Sequence, residues 1–208
     1  MTTQQSLCQK FMEKAELVAA TVAEVADMDA AVDYAVNLCG EKEACQLQVS
    51  GCTEPLSDGA EALCDTKQKK VLAAPGLDKV VYDRLAAQCA ENGFECIGSG
   101  MREYLAGIDI GFTVADHGIA ETGTLVLNSS GEELRLATMV SEYHVCVLPK
   151  SRIRDTSFEV ESLLTEDMKK APNYTAFITG PSRTADIERV LALGVHGPLQ
   201  LHILLLED

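Results

Sequence analysis

Basic residues are scarce in this chain of 208 residues, which has 17 Lys and Arg against 32 Asp and Glu and a formal net charge of −15. Binding to DNA or RNA is driven largely by Lys and Arg that neutralise phosphates, so this charge argues against a nucleic-acid partner. We expect a solvated acidic surface instead, on which Arg183 is the basic residue of most interest.

The chain also lacks any run near the roughly 18 apolar residues that a membrane span requires, and its first residues show no basic start followed by an apolar block. We therefore expect a cytoplasmic protein without a membrane span. No Pro-rich, Gly-rich or Ser-rich tract suggests a linker, and no repeat is visible. Its 47% apolar and 24% charged residues are ordinary globular values that predict one compact unit.

No C-x-x-C pair occurs among the eight cysteines. Four of them, Cys39, Cys45, Cys52 and Cys64, fall close together, but zinc and iron-sulfur sites usually take at least two ligands from one tight turn, which these gaps do not provide. We predict reduced thiols, most of them buried as small hydrophobic side chains, and no metal site in this chain.

The apolar spacing changes along the chain. Helical spacing over Gln4–Val25 and Asp29–Cys39 predicts a helical N-terminal extension, residues 1–66, packed on an α/β domain of residues 67–208. In that domain, helices are predicted at Asp78–Asn92 and Asp155–Lys170, between short apolar runs that predict strands of a mostly parallel sheet with helices on both faces. These runs are Lys70–Gly76, Phe94–Ile97, Asp109–Val114, Thr124–Leu127, His144–Leu148, Ala176–Thr179 and Leu199–Leu206.

The segment ADHGIAETGTLVLN, residues 115–128, combines two acids, an imidazole, glycines and hydroxyls between apolar runs. Gly123 permits backbone conformations closed to other residues, and Thr122 and Thr124 add hydroxyls to the exposed amides, which suits a carboxylate or phosphate. Glu121 is a candidate base or nucleophile. In open parallel sheets, ligands bind beyond the carboxyl ends of strands, which is where we expect this loop.

A second candidate loop, GPSRTADIE, follows the predicted strand Ala176–Thr179. Ser182 and Thr184 offer hydroxyls, and Arg183 offers a planar guanidinium suited to a carboxylate or phosphate. Either hydroxyl would also suit the N-cap of a helix predicted over Ala185–Leu193, whose free amides could meet the same anion. The same residues are a common way to begin a helix without any ligand.

Histidines are candidates for proton transfer. His196 lies between two glycines in GVHGP, residues 194–198, and His117 lies in the first candidate loop, so both are candidate catalytic residues. By contrast, His144 and His202 fall inside apparent strands, where a structural role is expected.

Three separated motifs, Gly118–Leu127, Ile178–Glu188 and Gly194–Pro198, together resemble the lactate-utilisation (LUD) domain family, and within it the LutC subunit type. The resemblance covers roughly Lys70–Glu207. It implies a three-layer, Rossmann-like α/β fold similar to the group of NagB, ribose-5-phosphate isomerase and CoA-transferases. It also implies partner subunits that hold iron-sulfur clusters and, with this chain, support oxidation of L-lactate to pyruvate.

The chemistry of the candidate residues suggests roles for a small hydroxy acid. Arg183 would bind its carboxylate, residues 122–124 would orient it, and His117 or His196 would accept the hydroxyl proton, with Glu121 orienting the imidazole or acting itself. Two alternatives remain open: an acyl-transfer or sugar-phosphate enzyme in which Glu121 is the nucleophile or base, and an assembly or sensing subunit that binds a metabolite without transforming it.

Overall fold

The computed structural model describes residues 3–43, 69–104, 107–129, 131–169, 174–184, 192–193 and 197–208. No helix in this part of the chain is long and apolar enough to cross a membrane. The predicted division between residues 66 and 67, and the cysteines at positions 45, 52 and 64, lie outside the described residues.

The N-terminal segment is not helical throughout. Helix α1, Thr3–Leu17, ends in a turn in which the amide of Ala20 donates to the carbonyl of Ala15 at 3.0 Å, and the chain then enters strand β1, Thr21–Val25. The predicted continuous helix from Gln4 to Val25 is therefore wrong in its last third. Ala19 turns the chain with a φ of 64°, a left-handed conformation that commonly ends helices.

The predicted helix at Asp29–Cys39 is confirmed as α2, Met28–Glu41, which begins after the N-cap Asp27. The predicted helix at Asp78–Asn92 is confirmed as α3, Lys79–Glu91. In each case an aspartate side chain accepts a hydrogen bond from an amide of the first turn, which satisfies one of the free donors at a helix start.

Six parallel strands form the main sheet in the order β1-β12-β7-β4-β2-β3. Besides β1, these strands are β2 (Val71–Ala73), β3 (Glu95–Ile97), β4 (Ile108–Val114), β7 (Ser141–Pro149) and β12 (Gln200–Leu206). The residues of the four inner strands are buried almost continuously, as expected for parallel strands covered on both faces, whereas the edge strands β1 and β3 are more exposed. The predicted α/β, Rossmann-like fold is confirmed.

A second, mixed sheet lies against one face of the main sheet, in the order β8-β5-β6-β9. Its strands are β5 (His117–Ile119), β6 (Thr124–Ser129), β8 (Ile153–Arg154) and β9 (Tyr174–Ile178). The predicted strands at Thr124–Leu127 and Ala176–Thr179 therefore exist, but they belong to this sheet and not to the parallel one. Helix α4, Glu132–Met139, was not predicted, whereas α5, Ser157–Met168, confirms the helix predicted over Asp155–Lys170.

Apolar side chains form a separate core on each face of the main sheet. Helices α2 and α3 cover one face, where Val32, Leu85 and Phe112 are fully buried. The other face is covered by α1 and the second sheet, with Phe11 and Leu125 at its centre. Helix α5 packs on the outer face of the second sheet. Helices thus cover both faces of the main sheet, as predicted, but on the second face α1 is joined by a second sheet that was not predicted.

Buried charges tie α2 to the amino ends of the central strands. The ammonium of Lys42, next to the end of α2, lies 2.8 Å from a carboxylate oxygen of Asp109 in β4 and 2.7 Å from one of Glu142 in β7. All three side chains are buried. Removing one member of such a group leaves an uncompensated buried charge, so the group constrains how these elements meet.

The end of α1 contacts two turns of the second sheet. A side chain at Gly123, before β6, would lie 2.3 Å from the backbone nitrogen of Ala15, and one at Gly180, after β9, would lie 2.2 Å from the carbonyl oxygen of Val18. Both glycines have positive φ angles. Only glycine therefore permits either approach, and α1 holds both turns in place.

We expect Gly123→Ala to lower the free energy of unfolding by more than about 3 kcal/mol, because the added Cβ would overlap backbone atoms of α1 that cannot move independently. Gly76→Ala is the matched control, since Gly76 also has a positive φ but has open space around it. It should cost only about 1–2 kcal/mol of backbone strain. Urea unfolding of the two variants measures the difference, and equal losses would contradict the packing account.

Candidate functional site

The candidate loop of residues 115–128 is divided between the two ends of the main sheet. Asp116 follows β4 at the carboxyl ends of the parallel strands. The chain then runs through β5 and turns at residues 120–123, beside the end of α1, before returning antiparallel in β6. Glu121 and Thr122 consequently lie at the opposite end of the molecule from Asp116.

A crevice of about 590 Å³ lies at the carboxyl ends of the parallel strands, next to the neighbouring strands β2 and β4. The chain passes from β2 to β3 on one side and from β4 to the strands on the other side, so the strand order reverses between β2 and β4. Such a switch in strand order is a usual ligand position in open α/β sheets. Its charged lining residues are three acids, Asp78, Asp116 and Glu133, and one base, Arg152. The acids accept hydrogen bonds from backbone amides, so they stabilise the loops here.

A second cavity, of about 330 Å³, lies at the amino ends of the parallel strands, and we call it the His144 cavity. It is formed by the first half of β7, the end of α4, strand β9 and two loops. Its lining residues are Arg135, Thr138, Met139, His144, Tyr174, Ala176, Phe177, Ile178, Thr179, Gly180, Pro181, Ser182, Gly197, Pro198 and Leu201. Residues 180–182, the start of the GPSRTADIE loop, lie at this end of the molecule because they follow β9, which belongs to the second sheet and not to the parallel one.

The charge of this lining differs from that of the rest of the chain. Among the described residues that line it, none is acidic and Arg135 is basic. The guanidinium carbon of Arg135 lies 5.1 Å from the ring centre of Tyr174, and no carboxylate of the described chain forms an ion pair with it. In a chain with a net charge of −15, the charge of this lining makes the cavity a candidate site for an anion.

Ser182 and Pro198 join the two loops at the cavity. The amide of Ser182 donates to the carbonyl of Pro198 at 3.0 Å, and a side chain at Gly197 would lie 3.1 Å from Cβ of Ser182. The amide of Leu199 then donates to the carbonyl of Glu142 in β7 at 2.8 Å. These backbone hydrogen bonds hold Ser182 at the cavity.

His144 lies at the base of the cavity and is fully buried. Its Nε2 lies 2.8 Å from the hydroxyl of Thr113 on the neighbouring strand β4, and burial lowers the pKa of His144 to about 4, so the ring is neutral at pH 7. Its other ring nitrogen, Nδ1, is buried without a hydrogen-bond partner in the described part of the chain. A buried polar atom without a partner is costly and suggests that a ligand completes the bond.

Glu121, a predicted catalytic residue, is placed at the start of α5. Its carboxylate accepts a hydrogen bond from the amide of Ser157 at 2.8 Å, and this bond holds the pKa of Glu121 below its ordinary value. An acidic side chain at this position accepts a hydrogen bond from a free amide, and its negative charge interacts favourably with the dipole at the start of the helix. Glu121 is not among the residues that line the His144 cavity, and its catalytic role stays a prediction.

The predicted ligand residues around Gly123 form a chain of hydroxyls. Thr122 and Thr124 are joined at 2.7 Å between their hydroxyl oxygens, and Thr124 is joined at 2.7 Å to Thr179, which lines the His144 cavity. The two motifs that the sequence separates by some fifty residues thus meet through Thr124 and Thr179. Through this contact, Thr124 holds a residue of the cavity lining, Thr179, without lining the cavity itself.

Of the predicted residues in the second loop, Ser182 lines the cavity, whereas Arg183 is exposed beside Gly180 and is not among the lining residues. Arg183 and Thr184 form strand β10, which pairs with β11, Ala192–Leu193. The helix predicted over Ala185–Leu193 is therefore wrong at its last two residues, and the rest of it lies outside the described residues.

Of the two predicted catalytic histidines, His117 lies in the described part of the chain and His196 does not. His117 is half-buried on the face of β5 opposite to Gly118, beside α5, and burial lowers its pKa. It does not line the His144 cavity. His196 lies outside the described residues, although the neighbouring Gly197 and Pro198 line the cavity.

Sequence reasoning missed Arg135, Thr138 and His144 as candidate site residues. Arg135 and Thr138 lie on α4, a short helix that was not predicted. His144 did leave a signal, because a neutral polar ring inside an otherwise apolar parallel strand must find a partner. Among the described residues, no three His, Cys, Asp or Glu side chains are grouped as a metal site would require.

We expect Glu121→Gln to lower the melting temperature by about 1–3 °C at pH 7, because the charged cap of α5 is lost. Since the folded-state pKa of Glu121 lies below its unfolded value, the difference from the parent chain should be full above pH 4.5 and disappear as the pH falls through the lowered pKa. Glu161→Gln, further along α5, is the control and should change little. Thermal unfolding across pH tests this, and a difference that grows in acid would contradict it.

Comparisons with known proteins agree with the motifs. The chain is 37% identical to Lactate utilization protein C of Halalkalibacterium halodurans over 103 residues, which are 48% of this chain and 45% of that protein. It is 36% identical to Lactate utilization protein C of an Exiguobacterium species over 111 residues, 51% of this chain and 48% of that protein. The match thus spans about half the length of these relatives.

A longer match is to the uncharacterized protein YkgG of Escherichia coli, at 29% identity over 208 residues, 99% of this chain and 81% of that protein. A crystal structure of a DUF162 family protein from Deinococcus radiodurans has the same fold, with a TM-score of 0.54 at 16% identity and 99% of both chains covered. The profile of the LUD domain matches residues 8–206, nearly the whole chain. The chain therefore belongs to the LUD domain family.

Proposed function

We propose that this chain is a LutC-like subunit that supports iron-sulfur-dependent oxidation of L-lactate to pyruvate, and that it binds a small carboxylate in the His144 cavity. The observation that carries the proposal is the composition of this cavity, whose described lining includes Arg135, Ser182 and the buried His144 but no acidic residue.

The size and chemistry of the cavity support a small anion. Its volume of about 330 Å³ lies at the lower end of the roughly 300–1,000 Å³ that is usual for ligand pockets. A guanidinium binds a carboxylate with two parallel hydrogen bonds, and such charge-assisted bonds are stronger than neutral ones. The apolar lining around Met139, Phe177 and Leu201 suits the carbon skeleton of the same ligand.

The names of the relatives support the metabolic setting, since several are called lactate utilization proteins. In this proposal the iron-sulfur clusters belong to partner subunits. The described cysteines are not grouped as a cluster would require, since Cys8 and Cys146 lie in one core and Cys39, Cys89 and Cys96 lie at the core on the opposite face of the sheet. No step of the proposal is therefore assigned to a cluster held by these residues.

The non-catalytic alternative, a subunit that binds a metabolite without transforming it, is favoured by one observation. The described lining of the cavity has no carboxylate, and burial lowers the pKa of His144 to about 4, which makes its ring a weak base for proton transfer. The nucleophile alternative is less well supported, because the Glu121 carboxylate is bonded to the start of α5. A full turnover assay with the partner subunits separates an enzyme from a binding subunit.

We expect L-lactate to bind the parent chain and Arg135→Gln to weaken that binding about tenfold or more, because a charge-assisted contact is lost. Isothermal titration calorimetry on the full chain measures the dissociation constants. Arg102→Gln is the matched control, since Arg102 is exposed, pairs with Glu132 and does not line the cavity. Equal losses in the two variants, or no loss in Arg135→Gln, would show that the carboxylate binds elsewhere.

The partner proposal predicts co-purification. Tagged chain expressed in its native host should retain subunits with the visible absorption of iron-sulfur clusters, and the isolated chain should not carry that absorption. Recovery of the tagged chain alone, from cells grown on lactate, would count against a stable complex.

A further inference from the structure

Arg135 and Arg102 differ in the group that contacts the guanidinium. At Arg102, Nε and Nη2 each donate to a carboxylate oxygen of Glu132 at 2.8 Å, so two of its hydrogen-bond donors are occupied. At Arg135, the guanidinium carbon lies over the ring of Tyr174, 5.1 Å from the ring centre. Both Arg135 and Tyr174 line the His144 cavity. The arginine of the cavity is therefore in contact with an aromatic ring.

An aromatic ring and a carboxylate interact with a guanidinium in different ways. The ring attracts the positive charge through the face of its π system, whereas a carboxylate accepts hydrogen bonds from the N–H groups. A guanidinium has five such donors, and the contact with the ring occupies none of them in the way that Glu132 occupies those of Arg102. Tyr174 can thus restrain Arg135 while the donors stay available for a ligand.

The connection between the second sheet and α4 explains why the two residues meet. Tyr174 is the first residue of β9 and pairs with Ser129, the last residue of β6. Helix α4, which carries Arg135, follows β6 directly along the chain. Because side chains alternate along a strand, Tyr174 shares a face of β9 with Ala176 and Ile178, and all three line the His144 cavity. The fold itself therefore places this ring beside the arginine.

We propose that Tyr174 is a positioning residue of the carboxylate site, whose ring holds the guanidinium of Arg135 at the His144 cavity with its donors open to the ligand. This inference rests on the proposed carboxylate site and adds a residue that acts on the ligand through Arg135. A freely moving arginine loses rotamer freedom when it binds a ligand, whereas a restrained one has less freedom to lose. Tyr174 is 48% exposed, so a substitution there changes this restraint more than it changes the core.

The first test is the binding of L-lactate by variants of the full chain, measured by isothermal titration calorimetry. We expect Tyr174→Leu to weaken binding about two- to fivefold, the effect of one cation–π contact at an exposed position. Tyr174→Phe keeps the aromatic face and should bind as the parent chain does. Phe158→Leu is the matched control, since it removes an exposed aromatic side chain that does not line the cavity, and it should change nothing.

Two results of this titration would overturn the inference while leaving the carboxylate site intact. One is binding by Tyr174→Leu that equals that of the parent chain. The other is an equal loss in Tyr174→Leu and Tyr174→Phe, which would assign the effect to the hydroxyl and not to the aromatic face.

A double-mutant cycle separates positioning from a direct role of Tyr174. If the ring acts only through Arg135, Tyr174→Leu should cause no further loss of L-lactate binding in the Arg135→Gln variant, because the guanidinium that it holds is absent. A further loss as large as that in the parent chain would overturn the inference, since Tyr174 would then act on the ligand or on the cavity by itself.

The contact can also be measured without a ligand. An aromatic ring shifts the NMR signals of protons above its face upfield, so the side-chain signals of Arg135 in arginine-labelled chain should be shifted in the parent and in Tyr174→Phe. They should return to ordinary arginine values in Tyr174→Leu. Ordinary values in the parent chain would overturn the inference, and this result does not depend on whether Tyr174→Leu folds. Failure of the parent chain to bind L-lactate would overturn the carboxylate site and this inference together.

Discussion

The contact of the end of α1 with two glycine turns is the constraint on which the rest of the candidate site depends. Gly123 and Gly180 approach the backbone of Ala15 and Val18 too closely for any side chain, and the hydroxyls of Thr124 and Thr179 join the two turns at 2.7 Å. This packing positions the end of β9, and with it the loop that carries Ser182. The N-terminal segment is thus part of the structure that shapes the cavity.

The two ends of the main sheet differ in charge. The crevice at the carboxyl ends is larger, but its three described acids bond backbone amides and would repel an anion. At the amino ends, the described lining of the His144 cavity has an arginine and no acid. In our proposal, charge outweighs the usual preference of α/β sheets for a ligand at the carboxyl ends. The second sheet makes this possible because it returns β9 to the opposite end.

The sequence was sufficient to predict the α/β succession, because buried parallel strands appear as short apolar runs and α3 begins at a recognisable N-cap, Asp78. Strand β1 was missed because Val22 and Val25 also fit helical spacing, and the turn before it uses Ala19 where a glycine would have signalled the break. Nothing in the runs that form β6 and β9 distinguishes a second sheet from the first. The candidate site was predictable only in part. The sequence indicated Ser182 in the GPSRTADIE loop, whereas His144 resembled a core residue.

The most direct test of the central claim, that the His144 cavity is the carboxylate site of this chain, is a crystal structure of the chain with L-lactate. The account predicts density for lactate in the cavity, with its carboxylate on the guanidinium of Arg135. Lactate bound in the crevice at the carboxyl ends, with the His144 cavity empty at saturating ligand, would contradict it.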